Sequence, residues 1–168
     1  MNRTGDAATV RVATITAEQT RPLRHLVLRP TQSVEATQYS GDHDPDTVHF
    51  GAFDDGRLMG IISVYRQPRE GGPAEGWRIR GMATAPAARG PGAGKALLDT
   101  CRSHVAARGG GELWANARMT ASGFYTAAGF APVGPQFDIE DIGAHVVVRT
   151  DVAPSADTAV HKPRGSGS

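Results

Sequence analysis

The stretch Met82-Ala83-Thr84-Ala85-Pro86-Ala87-Ala88-Arg89-Gly90-Pro91-Gly92-Ala93-Gly94-Lys95-Ala96-Leu97-Leu98 decides the fold of this chain. It predicts the end of a strand, a glycine-rich turn and the first turns of a helix. Three glycines at alternate positions, Gly90, Gly92 and Gly94, let a ligand approach the backbone. The helix that follows points its unpaired amides and the positive end of its dipole at the same place. The stretch therefore predicts an anion-binding site, most simply for phosphate.

The chain before this stretch predicts strands interrupted by a long loop. Alternating apolar and polar residues after the N-terminal tail indicate a half-buried strand, and a short helix follows, with Pro22 at its first position and Leu26 on its apolar face. Prolines, glycines and polar residues throughout 29–46 predict a loop. Asp54-Asp55-Gly56-Arg57 lies between two apolar runs and predicts a β-hairpin. Residues 77–83 then form the strand that enters the glycine stretch.

The chain after the glycines predicts a helix, a strand, a second helix and two late strands. The inner face of the first of these helices is formed by Gly94, Leu97, Leu98, Cys101 and Val105. A strand over 112–116 follows, and this strand–helix–strand unit places its two strands parallel. Thr120 caps the second helix, and residues 130–138 and 144–149 form the late strands. The pattern indicates an α/β fold in which helices flank a mixed sheet of six or seven strands.

Length and composition restrict the class of protein. The 168 residues predict one domain over 9–152, a disordered N-terminus over 1–8, and a tail over 153–168 that is disordered or was added during cloning. A net charge of +1 argues against a nucleic-acid partner. The single cysteine, Cys101, suits a reducing compartment, and the histidines are too scattered for a metal site. Without a signal-peptide pattern or an apolar run of ~18 residues, we expect a cytoplasmic protein that does not enter a membrane.

Three motifs follow one another along the chain. Arg89-Gly90-Pro91-Gly92-Ala93-Gly94 comes after a strand, Asn116-Ala117-Arg118 ends the next strand, and Gly123-Phe124-Tyr125-Thr126-Ala127-Ala128-Gly129-Phe130 is an aromatic-tyrosine run ending in Gly-Phe. In this order they resemble the GNAT superfamily of acyl-CoA-dependent N-acetyltransferases, over about residues 9–150. The resemblance implies a GNAT-like fold with a splayed sheet. It also implies transfer of an acetyl group from acetyl-CoA to a primary amine, by direct attack in a ternary complex.

The resemblance further implies where acetyl-CoA, the cosubstrate, binds. Backbone amides of the glycine loop hold its pyrophosphate, and its pantetheine arm lies along the strand end, in a gap where two parallel strands splay. The residues implied to contact it are Met82, Ala83, Thr84, Arg89, Gly90, Gly92, Ala93, Gly94, Asn116 and Tyr125. Pro91 has no amide hydrogen, so one donor position in the loop is empty and weaker binding of acetyl-CoA is expected.

Acetyl transfer needs a neutral amine, a donor to the developing oxyanion and a proton for the departing thiolate. The resemblance implies that Tyr125 supplies the proton and that a backbone amide of Met82 or Ala83 serves the oxyanion. The alternative for Tyr125 is a packed helix aromatic. Many relatives carry a glutamate on the strand where this chain has Arg78 and Arg80, so the usual carboxylate base is missing.

The general base has to be sought elsewhere. His145 is the first candidate because it lies on a late strand near the expected cleft and because histidine titrates near neutral pH, while a structural role is the alternative. Asp138, Glu35 and His49 are further candidates. Asn116, at the end of its strand, orients the cofactor or an ordered water, or else caps the following turn.

Two other phosphate-binding patterns are excluded. A nucleotide-triphosphate P-loop needs glycine where Arg89 stands and a hydroxyl residue where Ala96 stands. A dinucleotide fingerprint follows the first strand of a doubly wound sheet, whereas these glycines follow a hairpin. A CoA-binding or sensing module without turnover is the alternative function. Pro91 and the missing carboxylate favour it, and Tyr125 argues against it.

The acceptor and the assembly are left open by the sequence. The acceptor is either a small molecule or a protein amine, and the protein is either a monomer or a homodimer. Glu35, Asp42, Asp44 and Asp46 in the long loop either attract a cationic acceptor or form an ordinary solvated surface.

Overall fold

A seven-stranded sheet forms the centre of the molecule, whose computed structural model describes residues 10–86 and 92–156. The strands are β1 (Val10–Ile15), β2 (Val48–Asp54), β3 (Arg57–Arg66), β4 (Gly76–Thr84), β5 (Gly111–Arg118), β6 (Ala131–Ile139) and β7 (Gly143–Val152). Their order is β1-β2-β3-β4-β5-β7-β6. β4 and β5 pair in parallel, and the other neighbours pair antiparallel. The predicted mixed sheet is therefore confirmed, with seven strands.

Helices cover both faces of this sheet. They are α1 (Ala17–Leu23), a π-helical turn (Arg24–Leu28), a 3-10 turn (Val34–Thr37), α2 (Ala93–Ala107), a second 3-10 turn (Met119–Ala121) and α3 (Ser122–Ala127). Neighbouring residues of β3 pack against helices on opposite faces of the sheet, because adjacent side chains of a strand point to opposite faces. Ile62 belongs to the core that includes α2, while Ile61 packs with Leu23 of α1. Within the described part of the chain, no helix is long and apolar enough to cross a lipid bilayer.

The predicted hairpin and the predicted inner face of α2 are both confirmed. β2 and β3 are joined by a turn in which Asp55 and Gly56 have φ values of 54° and 80°, as a tight hairpin turn requires. Leu97, Leu98, Cys101 and Val105 are at most 1% exposed. Their burial on one side of the helix follows from the i, i+3, i+4 spacing of apolar residues.

The first helix begins earlier than the position of Pro22 suggested. The Thr16 hydroxyl oxygen accepts a hydrogen bond from the Gln19 backbone amide, and the Gln19 side-chain oxygen accepts one from the Thr16 backbone amide, so the helix starts at Ala17 with two amides satisfied. Pro22 lies inside the helix, and the backbone beyond it widens to i→i+5 bonding. Because of this change in period, Leu26 is 60% exposed and Arg24 is buried in its place.

The prediction that Thr120 caps the helix now labelled α3 was also wrong. Ala121 precedes α3 and no side chain caps it. The Ser122 hydroxyl donates to the Met119 carbonyl instead, within the 3-10 turn that leads into the helix. Thr120 is exposed and lines the cavity described below.

A buried ion pair fixes the long loop of residues 29–46 to the sheet. Arg24, which is fully buried, donates to both carboxylate oxygens of Asp42 at 2.8 and 3.1 Å, and also to the hydroxyls of Ser63 and Tyr65. We call Arg24, Asp42, Ser63 and Tyr65 the Arg24–Asp42 cluster. Burial alone would raise the pKa of Asp42, but hydrogen bonds from Arg24 and Tyr65 lower it to about 2. Asp42 is therefore a structural residue.

Candidate functional site

A gap opens in the sheet where β4 and β5 stop pairing. Their register ends at Ile79 opposite Ala115. Just beyond this point β4 contains an extra residue relative to β3, since Gly81 and Met82 stand where β3 offers Ile62 alone. Gly81 has a φ of 64°, which glycine adopts without strain. A bulge of this kind bends its strand, and the bend separates β4 from β5 beyond the last pair.

A cavity of about 740 Å³ occupies this gap. The residues that line it come from β4, β5, β6, β7, α2, α3, the second 3-10 turn, the turn between β6 and β7, the segment after α1 and the long loop of residues 29–46. They include Val27, Arg29, Tyr39, Arg78, Arg80, Gly81, Met82, Ala83, Thr84, Gly94, Asn116, Arg118, Thr120, Phe124, Tyr125, Ile139, Ile142 and His145. The structure thus brings all three candidate catalytic residues, Tyr125, His145 and Asn116, to one cavity. The predicted cofactor contacts on β4 line the same space.

The N-terminus of α2 reaches the edge of this cavity. Gly92 precedes the helix with a φ of 88°, and Ala93 is buried as its first residue. Gly94 lines the cavity, and a side chain there would approach a ring carbon of Phe124 at 3.4 Å. Arg89, Gly90 and Pro91 lie outside the described residues. Their roles at the pyrophosphate, and the missing donor at Pro91, stay predictions.

Tyr125 lies on α3 at the floor of the cavity. Its ring is 5% exposed and packs edge-on against Phe124 and Phe130, with centroids 5.3 and 5.2 Å away. Burial, with a smaller contribution from Cys101, raises the pKa of the Tyr125 hydroxyl above its ordinary value of 10.0. The phenol therefore stays protonated at neutral pH and has a proton to give. Its hydroxyl makes no hydrogen bond with another described residue.

His145 lies on β7 opposite Arg118 of β5 and is 4% exposed. Its ring stacks on Phe137 with the centroids 5.8 Å apart. Nδ1 lies 2.7 Å from the carbonyl of Gly143. Because a carbonyl only accepts, Nδ1 carries the hydrogen, which leaves Nε2 of the neutral ring free to accept a proton.

Asn116 lies near the end of β5, opposite Val147 of β7, and is half-buried. Among the described residues its side chain amide has no hydrogen-bond partner. The turn-capping alternative for this residue has no support, because the following 3-10 turn receives no cap from a side chain. The free amide is available to a ligand in the cavity.

The other candidate bases lie away from the cavity. Both ring nitrogens of His49 are engaged, by the Ser63 hydroxyl at 2.6 Å and the Asp42 carbonyl at 3.0 Å. Asp138 and Glu35 are exposed and do not line the cavity. A role as the base is therefore supported by the geometry for His145 alone among the four candidates.

Four arginines at the cavity were missed as site residues. Arg29, Arg78, Arg80 and Arg118 all line it and are half-buried, and we call them the arginine patch. The sequence offered a signal, since Arg78 and Arg80 alternate on the strand before the bulge and Arg118 follows Asn116 by two residues. From the sequence, Arg78 and Arg80 indicated only that the usual glutamate of this strand is missing.

Comparisons with known sequences agree with this geometry. A family model described as an acetyltransferase (GNAT) domain matches residues 13–145. The chain is also similar to YitI, an uncharacterized N-acetyltransferase of Bacillus subtilis (strain 168). The two are 38% identical over 141 residues, which cover 82% of this chain and 93% of that protein.

Solved structures share the fold. An aminoglycoside 6'-N-acetyltransferase complexed with coenzyme A is 15% identical, with a TM-score of 0.69 and coverage of 86% of this chain and 98% of that one. A putative N-acetyltransferase from Lactobacillus plantarum is 19% identical, with a TM-score of 0.70 and coverage of 86% and 99%. The ribosomal-protein-S18-alanine N-acetyltransferase from Escherichia coli is 14% identical, with a TM-score of 0.65 and coverage of 88% and 97%.

Proposed function

The chain belongs to the GNAT superfamily of acetyltransferases, and from this premise we propose that it transfers the acetyl group of acetyl-CoA directly to a primary amine within a ternary complex. The observation that supports the proposal most strongly is a convergence. Tyr125, Asn116 and His145, which come from three different elements, meet the open edge of β4 in one cavity beside the N-terminus of α2. We place the reaction in the cytoplasm, where acetyl-CoA is available.

The cavity fits the acyl-CoA arm. Beyond Ile79 the backbone of β4 has no partner on the β5 side in the described part of the chain, so those polar groups over 82–84 that do not face β3 are free to bond an amide-containing chain. The α2 N-terminus adds unpaired amides and a positive dipole end for phosphate. Acetyl-CoA supplies an activated acetyl group, and the residues of this chain hold and orient it.

Tyr125 is the proposed proton donor. Its raised pKa keeps the phenol protonated, so Tyr125, which lines the cavity, has a proton to give to the departing thiolate. A backbone amide at the bulge, of Met82 or Ala83, is the proposed donor to the carbonyl oxygen of the thioester. The bulge matters because it turns this part of β4 out of regular pairing.

His145 is the proposed general base. Its Nε2 is the acceptor of the neutral ring, and the Gly143 carbonyl fixes that tautomer. Asn116 is proposed to orient the thioester or an ordered water through its free amide. Removal of a proton from the incoming amine then requires no carboxylate on β4, where this chain carries arginines.

Substitution of Tyr125 by phenylalanine tests the proposal. In Tyr125→Phe we expect kcat to fall by about 100- to 10,000-fold, the range for loss of a general acid, with little change in KM for acetyl-CoA. Release of free CoA is measured with a chromogenic thiol reagent over a panel of amines. Tyr65→Phe is the matched control, because it removes a buried tyrosine hydroxyl outside the cavity.

Two results would contradict the proposal. A kcat for Tyr125→Phe within threefold of the wild type would remove Tyr125 from the chemistry. A wild-type protein that binds acetyl-CoA tightly and releases no CoA with any amine would instead favour the sensing module. Tyr65→Phe is expected to lose stability and to keep its kcat, so the two variants separate a chemical role from a packing role.

A further inference from the structure

We propose that the amine accepted by this enzyme is a small molecule carrying a carboxylate or a phosphate, and that the arginine patch binds this anionic group. The inference rests on the proposed function and names the class of acceptor for the same cavity. It replaces the idea of a cationic acceptor, which depended on acidic residues in the loop of residues 29–46.

The arginines converge because of where the sheet places them. Arg78 pairs with Trp114 of β5, and Arg118 lies four residues further along that strand, so alternation puts Arg78 and Arg118 on the same face. Arg80 follows two residues after Arg78 on β4. The opposite face belongs to Leu113 and the core that contains α2. The patch is therefore built on one side of the gap, away from α2.

Tyr39 and the segment after α1 cover the arginine patch. The guanidinium carbons of Arg80 and Arg29 lie 4.4 and 5.5 Å from the centre of the Tyr39 ring. Arg118 donates to the carbonyl of Leu28 at 2.6 Å, and this hydrogen bond holds the segment after α1 against the end of β5. The positive charges thus face a partly enclosed space and are shielded from bulk water.

The patch has no counter-ion in the described part of the chain. None of its four arginines forms an ion pair there, and no aspartate or glutamate from residues 10–86 or 92–156 lines the cavity. Among residues 10–86 and 92–156, the Nε atoms of Arg29 and Arg78 are buried without a hydrogen-bond partner. Arginines elsewhere in the described part of the chain differ in this respect, since the buried Arg24 and the half-buried Arg69 each donate to a carboxylate.

The electrostatics of the patch favour the binding of an anion. Burial and the charge of Arg80 lower the pKa of Arg78 to about 10, and burial and Arg29 lower that of Arg118. Burying unpaired like charges is costly, and bound carboxylate or phosphate would relieve the cost through charge-assisted hydrogen bonds. An ammonium group would meet repulsion in the same place.

The phosphates of acetyl-CoA are less suited to this patch. They are expected at the N-terminus of α2, beyond Thr84. Arg80 precedes Thr84 by four residues, roughly 13 Å of strand at ~3.3 Å per residue, and it lies before the bulge. The reacting end of the cofactor is expected between these two points, so the arginines fall on the acceptor side.

The patch also helps the chemistry. Cations near the acceptor lower the pKa of its ammonium group and so increase the fraction present as the nucleophilic neutral amine. The anionic group of the acceptor compensates for this repulsion in the bound complex. The cavity of about 740 Å³ also has to admit the end of the pantetheine arm, so the part of the acceptor that enters it beside the arm is small.

Matched pairs of amines test the charge requirement. Amino acids are compared with their amides for the carboxylate, and O-phosphoethanolamine with ethanolamine for the phosphate, with spermidine as a polycation. We expect CoA release only with the amines that carry a carboxylate or a phosphate. The pair in which the charged amine reacts identifies which of the two anions the patch binds. Equal rates within pairs, or preference for spermidine, would overturn the inference while leaving acetyl transfer intact.

Arg80→Gln and Arg118→Gln then test the patch itself. Each is expected to lower kcat/KM for the anionic acceptor by about 10- to 100-fold, the usual loss for a charged hydrogen bond, with KM for acetyl-CoA unchanged. Arg57→Gln is the matched control, since Arg57 is exposed in the hairpin and does not line the cavity. A rise in KM for acetyl-CoA alone would assign the patch to the cofactor and overturn the inference.

Binding separates this inference from the proposed function. Calorimetric titrations use N-acetyl amino acids and their amides against protein saturated with CoA. If no amine is turned over but the carboxylates bind and Arg80→Gln abolishes binding, acetyl transfer fails and the anion site stands. If the carboxylates bind no better than the amides, the anion site fails whatever the turnover.

Discussion

Replacing Asp42 by asparagine is expected to destabilise the protein more than any other single loss of charge in its loop. Asp42 accepts two hydrogen bonds from Arg24, one from the Tyr65 hydroxyl at 2.6 Å and one from the Tyr39 amide at 3.0 Å. Asparagine keeps the shape and removes the charge. Arg24, which is 0% exposed, then has no anion to balance it.

The size of the effect follows from that burial. Breaking a buried ion pair on one side costs about 3–5 kcal/mol, because the remaining charge stays desolvated. A domain of this size is stable by about 5–15 kcal/mol, so a large part of the free energy of unfolding would be lost. With a urea m-value of about 2 kcal/mol/M, the unfolding midpoint is expected to fall by about 2 M.

Equilibrium urea unfolding followed by tryptophan fluorescence measures this change. Asp46→Asn is the matched control, because Asp46 is an exposed acid in the same loop and should change stability by no more than about 0.5 kcal/mol. The double variant Arg24→Met with Asp42→Leu removes both charges and is expected to recover most of the loss. A loss of less than about 1 kcal/mol in Asp42→Asn, the size typical of an exposed ion pair, would contradict this role of Asp42. So would a double variant that is no more stable than Asp42→Asn.

Four further outcomes are expected. The pKa of Asp42 is lowered from 3.8 to about 2, so its stabilisation is present above pH ~4 and is lost as the pH falls towards 2; urea midpoints of wild type and Asp42→Asn should converge over that range. Gly81→Ala should lower the free energy of unfolding by about 1–2 kcal/mol, since φ is 64° there. Gly123→Ala in α3 should leave the protein as stable as the wild type or more stable, and thermal unfolding measures both variants. His145→Gln should lower kcat/KM by about 100-fold at neutral pH and recover at alkaline pH, where the amine loses its own proton; a constant deficit across pH would exclude the base role. Cys101 is buried with a raised pKa, so thiol reagents should label it only in denaturant, and rapid labelling of the native protein would contradict the core assignment.

Local sequence patterns predicted the elements and their types. The apolar spacing of α2, the Asp55-Gly56 turn and the strand–helix–strand unit each involve residues close together in sequence, so propensity and periodicity were sufficient. The resemblance carried by Tyr125 and Asn116 located the cavity. These features depend on short-range rules that tertiary contacts did not override.

What the sequence missed depends on long-range contacts. Arg24 is a buried cation only because Asp42, Ser63 and Tyr65 reach it from distant positions, and nothing near Arg24 in the sequence signals that. The bulge at Gly81 follows from register with β3, which a single strand does not reveal. The arginine patch likewise exists only after β4 and β5 are placed side by side.

The ring of Tyr39 joins the stability of the molecule to its selectivity. The guanidinium carbon of Arg24 lies 3.9 Å from the ring centre, and that of Arg80 lies 4.4 Å from it. A substitution at Tyr39 that reshapes the cavity would also remove packing from the buried cluster. Evolution towards a new acceptor is therefore constrained at this position and freer at Arg29, which bonds the cluster only through its backbone amide, at the Arg24 carbonyl, a contact that a substitution keeps. Directed evolution of the enzyme should accordingly accept changes at residue 29 before it accepts them at residue 39.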